Sequence, residues 1–201
     1  MNNLEIENQL LRRQLQSLVD EARLNEKKWR RLDLLEKKLI ATRGLPELIQ
    51  TILEDYRSES ETDAVTLVLS DPDHEVRHIL EREMRGDEQI QGLVLLERLP
   101  DMGPSPHLGT FDTEHRHAIF DPWPVECLSM LLLPLMRQGQ LVGSLNLASR
   151  HSERFTSDSS TDFLERLANI FSICLENSLN HERRKQVGLT DPLTGIYNRR
   201  Y

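Results

Sequence analysis

The side chains best equipped for chemistry lie close together. His107, His115, His117, Asp121 and Cys127 sit in or beside one Pro-, Gly- and His-rich stretch, residues 100–124. Imidazole, carboxylate and thiolate are the ligand types of zinc and iron sites, and His115 and His117 would share one face of a strand. No pair has the spacing of a metal finger, so surface and loop histidines are the simpler reading of the cluster. Cys127 follows Pro124-Val125-Glu126 with no evident base to generate a thiolate, which leaves a small buried cysteine as its simpler reading. The same region carries Phe111, Phe120, Trp123, Cys127 and Ser129. Aromatic surface with a few polar groups suits a small-molecule pocket, and it equally suits an ordinary core.

Those residues need elements to position them. The chain begins with a helix of heptad pattern. Leu4, Leu11, Leu18, Leu32 and Leu39 fall on one core position, with Asn25 at the same position, while Leu15, Ala22 and Trp29 fall on the complementary one, preceded by Asn8. A narrow apolar stripe between charged faces predicts pairing with a second helix, and a lone core Asn favours one register. The predicted interface is Leu4, Leu11, Leu15, Leu18, Ala22, Asn25, Trp29 and Leu32. Gly44 is expected to close this helix in the left-handed conformation, with Pro46 in the first turn of the next. Residues 45–57 keep helical spacing through Leu48, Ile49, Ile52, Leu53 and Tyr56.

Residues 63–70 read as a strand ended by Asp71-Pro72, with a short second strand about residues 76–80 and a helix over 86–99. Residues 129–136 and 140–149 are apolar strands around Arg137-Gln138-Gly139, where Gly139 supplies the positive φ of a tight hairpin. Thr156 and residues 157–160 offer N-caps for a long helix striped by Phe163, Leu164, Leu167, Ile170, Phe171, Cys174 and Leu175. Beyond Leu179 that helix turns polar, so burial alone cannot hold it and a partner helix or a following domain is expected. The predicted fold class is α+β: an antiparallel sheet packed by helices and flanked by N- and C-terminal coiled-coil helices.

Composition narrows the function. The chain has 201 residues and a formal charge of −8, which argues against a nucleic-acid surface because phosphate contacts need clustered Lys and Arg. Two cysteines make no disulfide framework, so a reducing cytoplasm is expected. The charged N-terminus is no secretory signal, and the apolar run 128–136 is too short to span a bilayer, so no membrane association is expected.

Two stretches resemble known families. Residues 139–179, GQLVGSLNLASRHSERFTSDSSTDFLERLANIFSICLENSL, resemble the end of a GAF domain: a G-x-L-x-G-x-L strand, R-F-T-x-x-D, a long helix and a terminal E-N. The segments HLGTF and SMLLLPLMRQGQ are similar to a GAF subtype without an assigned function. The last residues, LTDPLTGIYNRRY, resemble the opening of a GGDEF domain, the catalytic module of diguanylate cyclases. In that family the segment forms an N-terminal hook, which this resemblance places on Asp191, Leu193, Thr194, Asn198, Arg199 and Arg200; Ile196 departs from the family's Leu. The resemblance implies four segments: a coiled-coil helix (1–43), a GAF-like sensory domain (44–176), a signalling linker (177–188) and the start of a GGDEF domain (189–201).

The function implied is a sensory and dimerisation module of a diguanylate cyclase, working as a homodimer with an unidentified small-molecule ligand. Magnesium and GTP are expected only at a catalytic domain after Tyr201. The acidic residues that hold the metal there are missing from the tail, so residues 1–201 alone are expected to be inactive. The alternatives are a structural dimerisation module with no ligand, and a metal-binding domain built on the His-rich stretch.

Overall fold

The computed structural model describes residues 3–59, 62–84, 89–111, 119–120, 126–156 and 161–189. The chain divides into two compact units at Leu34 and Leu35.

The first unit is one helix. α1 runs Asn3–Ala41, and its first unit holds the heptad stripe. Leu11, Leu15 and Leu18 are 56%, 63% and 62% exposed. A single copy therefore leaves Leu11, Leu15 and Leu18 uncovered, whereas Leu32 of the predicted interface is buried, and Gln16–Asp20, Asp20–Arg23 and Glu26–Arg30 form exposed contacts along the helix.

The second unit begins on the same helix, where Leu35, Glu36 and Leu39 are buried. α1 ends as the Thr42 amide and hydroxyl both donate to the Leu39 carbonyl. Gly44 does not take the left-handed conformation expected of it. It sits at the start of α2, Leu45–Glu59, where its carbonyl accepts the Leu48 amide and the Glu47 carboxylate accepts the Arg43 amide. The chain therefore reverses through the beginning of the second helix, with no glycine cap on the first.

A five-stranded sheet follows in the order β2-β1-β5-β4-β3. The strands are β1 Ala64–Ser70, β2 Leu93–Leu96, β3 His107–Thr110, β4 Ser129–Arg137 and β5 Gln140–Ser149. Two sequence expectations are overturned here. Residues 76–80 are part of helix α3, Glu75–Glu83, and not a strand. Its buried residues Val76, Ile79 and Leu80 have helical spacing, and the Asp71 carboxylate receives the Val76 and Arg77 amides at 2.9 and 3.1 Å. Within the stretch read as a helix, Leu93–Leu96 is instead a strand parallel to β1, from Leu67↔Leu93 to Ser70↔Leu96. A parallel neighbour requires a crossover, and α3 provides it. The other pairings are antiparallel as expected.

The β4–β5 hairpin turns on Gln138 (φ 52°) and Gly139 (φ 79°), the paired positive angles of a tight two-residue turn. Gly143 permits the close approach of β5 to β1, since a Cβ there would lie 2.3 Å from the Val68 carbonyl oxygen. α2 packs on β1, and the last helix, α4 (Asp162–Leu189), packs on β4 and on α2. Their buried side chains, Leu48, Ile49, Ile52, Leu167 and Phe171, form the core on that face with Leu67, Leu133 and Leu145.

Candidate functional site

Strand register sorts the sheet into two faces. Ala64, Thr66 and Val68 pair with Ala148, Asn146 and Ser144, which continue to Met130, Leu132 and Pro134. Alternation puts all nine side chains on the face away from α2 and α4. This second face is covered by segments between strands. Ile119 and Phe120 are fully buried against Ala64, Val68, Met130, Leu132 and Ala148, and Leu99, Met102, Phe111 and Cys127 pack around them.

Three of the proposed lining residues, Phe111, Phe120 and Cys127, therefore meet on one face, with the two phenyl centroids 5.3 Å apart. Ser129 lies on the opposite register, fully buried, and its hydroxyl donates to the His151 carbonyl at 2.7 Å. Trp123 lies outside the described residues, as do His115, His117 and Asp121 of the metal hypothesis. His107 is exposed on β3, opposite Leu132. Among the described residues no three His, Cys, Asp or Glu side chains are grouped as metal ligands.

The residues that sequence reasoning missed form a polar row across this apolar face. The Thr66 hydroxyl donates to the Ile119 carbonyl at 2.9 Å, tying the cover to β1. Asn146 donates through Nδ2 to Thr66 Oγ1 at 3.3 Å and to the Ser144 carbonyl at 3.4 Å. The Asn146 Oδ1 and Ser144 Oγ atoms are buried with no hydrogen-bond partner among the described residues. Unpaired buried polar groups are costly and uncommon, which makes them informative. Their signal was present in the sequence: polar Ser144 and Asn146 alternate inside the apolar strand LVGSLNLAS.

The second feature is how α4 is held. Arg166 makes a two-pronged contact with the buried Glu36 carboxylate at 2.7 and 2.8 Å. Further along, Arg137 at the end of β4 binds Glu176. In the polar stretch, Glu182 is 2% exposed and is bound by Arg82 of α3 and by Lys185. Burial alone would push the Glu182 carboxyl up, but Lys185 and Arg82 outweigh it and hold it below its ordinary range. Arg183 makes a two-pronged contact with Glu75 at 2.7 and 2.6 Å, and this hydrogen bonding raises the guanidinium's proton affinity further. Within the chain, the polar end of the helix is tied to α3 by these ion pairs.

Two titrating groups complete the electrostatics. Asp63 is held below its ordinary range, first by the Arg150 amide at 2.8 Å and also by the Ser149 hydroxyl. Burial pushes the Cys174 thiol up, away from the thiolate that redox chemistry uses. No helix among the described residues is long and apolar enough to cross a membrane.

This architecture is GAF-like. Similar solved structures include the GAF domain of an Acinetobacter phosphoenolpyruvate-protein phosphotransferase, at 14% identity and TM-score 0.54 over 82% of this chain and 98% of that one. The GAF domain of a sensor histidine kinase from Pseudomonas syringae pv. tomato matches at 14% identity and TM-score 0.54, covering 84% and 98%. A free methionine-R-sulfoxide reductase from Neisseria meningitidis, solved with its substrate, matches at 18% and 0.52, covering 75% and 89%. At such identities the likeness is one of fold. By sequence, residues 1–179 match the DUF484 family, described as a protein of unknown function, and the chain belongs to that family. A search of curated proteins finds no match.

Proposed function

We propose that this chain is the cytoplasmic sensory and dimerisation module of a diguanylate cyclase, the enzyme type that joins two GTP into cyclic di-GMP. The observation that carries the reading is the sequence motif LTDPLTGIYNRRY, which begins at Leu189, the last described residue of α4. The hook residues Asp191, Leu193, Thr194, Asn198, Arg199 and Arg200 lie outside the described residues, and their role rests on the resemblance. A second copy covers the exposed heptad stripe of α1. A small ligand binds under the cover of the sheet, against Phe111, Phe120 and Cys127. GTP and magnesium bind to the catalytic domain that follows.

The physical logic is proximity. Each catalytic domain holds one GTP, so reaction requires two domains face to face. Orientation of that kind is worth on the order of 7–11 kcal/mol in favourable cases. A sensor that alters the direction of the two exit helices therefore controls the rate without touching the chemistry. The test is the chain extended through the residues that follow Tyr201, incubated with GTP and magnesium. Formation of cyclic di-GMP supports the reading; no product, or no catalytic sequence downstream, overturns it.

A second reading is a dimerisation module with no ligand. It is favoured by the complete burial of Ile119 and Phe120 on the covered face. A thermal-shift screen over nucleotides, metals and metabolites separates the two, since only a true ligand raises Tm in proportion to its occupancy.

A further inference from the structure

We infer that α3 is an ionic latch on the exit helix, and that release of this latch frees the end of α4 to change direction. From Asn180 to Gln186 the helix carries no apolar side chain, yet Glu182 is 2% exposed. Charge contacts therefore do here what apolar burial does higher up. The cluster has two parts, both on α3. Arg82, in its last turn, holds Glu182 together with Lys185, and Glu75, its first residue, holds Arg183.

The two parts differ in a way that makes the contact two-state. The Arg183 and Glu75 side chains are 58% and 29% exposed, so their pair is screened by salt and weak. The Glu182 side chain is 3% exposed, while Arg82 and Lys185 are about half exposed. Lys185 moves with α4, so Arg82 is the cation that ties Glu182 to α3, and a carboxylate left buried without its inter-helix partner is strongly destabilising. Glu182 is thus either buried and paired or solvated with the helix end released. An intermediate position has nothing to stabilise it.

The latch is also wired to the covered face. α3 starts at the end of β1, where buried Asp71 caps its first amides and donates its own amide to the Leu96 carbonyl at 2.8 Å. Between them His74, at the start of α3, takes a left-handed backbone (φ 55°). Two turns of strand back along β1 is Thr66, which fixes Ile119 of the cover. The cover and α3 are thus joined through one strand and one capped turn.

The inference rests on reading α4 as the output helix, but the latch is measured in this chain alone. Hydrogen exchange of the peptide 178–189 is followed in the wild type, Arg82→Ala, and Glu75→Arg with and without Arg183→Glu. Arg82→Ala should speed exchange there roughly tenfold or more, with residues 164–175 unchanged. Glu75→Arg alone should speed it by a smaller factor, and the double exchange of charge should restore the wild-type rate. Raising salt from about 0.05 to about 0.5 M should speed the wild type at the same peptide. Because the salt arm needs no variant, a misfolded mutant does not end the test. Unchanged exchange under both salt and Arg82→Ala overturns the latch. Faster exchange with unaltered cyclic di-GMP output from the extended chain leaves the latch standing and overturns the output reading.

Discussion

Removing the Ser144 hydroxyl should make the protein more stable. Ser144 is fully buried on β5, opposite Val68 and Pro134, and its Oγ has no hydrogen-bond partner among the described residues. A buried hydroxyl left unpaired costs about 1–3 kcal/mol of desolvation. Ser144→Ala deletes that oxygen and keeps the Cβ. The space left behind is roughly 10 Å³, which at about 24 cal/mol per Å³ returns only about 0.2 kcal/mol of the gain. The net expectation is about 1 kcal/mol of stabilisation, or a rise in Tm of about 2–4 °C for a domain of this size.

The control is Thr66→Val, which removes an oxygen of similar size from the same face. Thr66 Oγ1 donates to the Ile119 carbonyl and accepts from Asn146, so its loss strands two buried groups. That should destabilise by about 1–3 kcal/mol, the opposite sign. Calorimetry and urea unfolding of both variants check the pair, with an unchanged m value needed for the comparison. If Ser144→Ala lowers Tm, its hydroxyl is paired in solution and the account of this row is wrong. If Ser144→Ala stabilises the free protein yet weakens a ligand found by screening, the unpaired group is retained for binding at the expense of stability.

Gly143→Ala should destabilise by about 3 kcal/mol or more, because its Cβ would meet the Val68 carbonyl oxygen at 2.3 Å and neither backbone can yield without breaking the β1–β5 ladder; loss of the cooperative thermal transition is the readout. Lowering the pH should loosen the α4 end through Glu182 and the start of β1 through Asp63: both are held below their ordinary values of 4.5 and 3.8, so their contribution is whole above the unfolded values and is lost as pH falls through the lowered ones. Around Glu182 the groups to account for are Arg82, Glu83 and Glu75 of α3 and Arg183 and Lys185 of α4; urea midpoints between pH 7 and about pH 3 should fall only in the acid limb. Leu15→Lys with Leu18→Lys should halve the mass measured by light scattering, because two charges in a heptad core oppose pairing; an unchanged mass would remove α1 as the dimer contact.

Local patterns made some elements legible and non-local ones obscured others. α1 and α2 follow from the heptad and the Pro46 start, and the β4–β5 hairpin from two apolar runs around Gln138-Gly139. Each is written within a few residues. β2 is not: Leu93–Leu96 is a strand because β1 lies beside it, and the apolar run reads equally as part of a helix. α3 was misread because Val76 and Leu80 fit an alternating pattern until Ile79 and the Asp71 cap are placed in space. Glu182 offered no signal at all. A Glu among Arg and Lys on a polar helix face normally marks solvent, and only α3, a hundred residues earlier in sequence, turns it into a buried contact.

β1 is the element that links the covered face of the sheet to α3 and so to the end of α4. Its odd-numbered side chains, Val65, Leu67 and Leu69, enter the core beneath the helices, while Ala64, Thr66 and Val68 enter the covered face. The strand is almost fully buried and hydrogen-bonded on both edges, by β2 and β5, so it has little freedom to deform locally. Its outlet is the end at Ser70-Asp71, where the ladder stops and α3 begins. That helix carries both ion pairs to α4, the Glu182 pair buried at its carboxylate and the Glu75 pair largely exposed. A carboxylate buried with its cation is lost as a contact when the cation leaves, because the charge then stays desolvated. The described contacts of α4 with α3 are of this charged kind, where the rest of the helix is held by Leu167, Phe171 and Leu175.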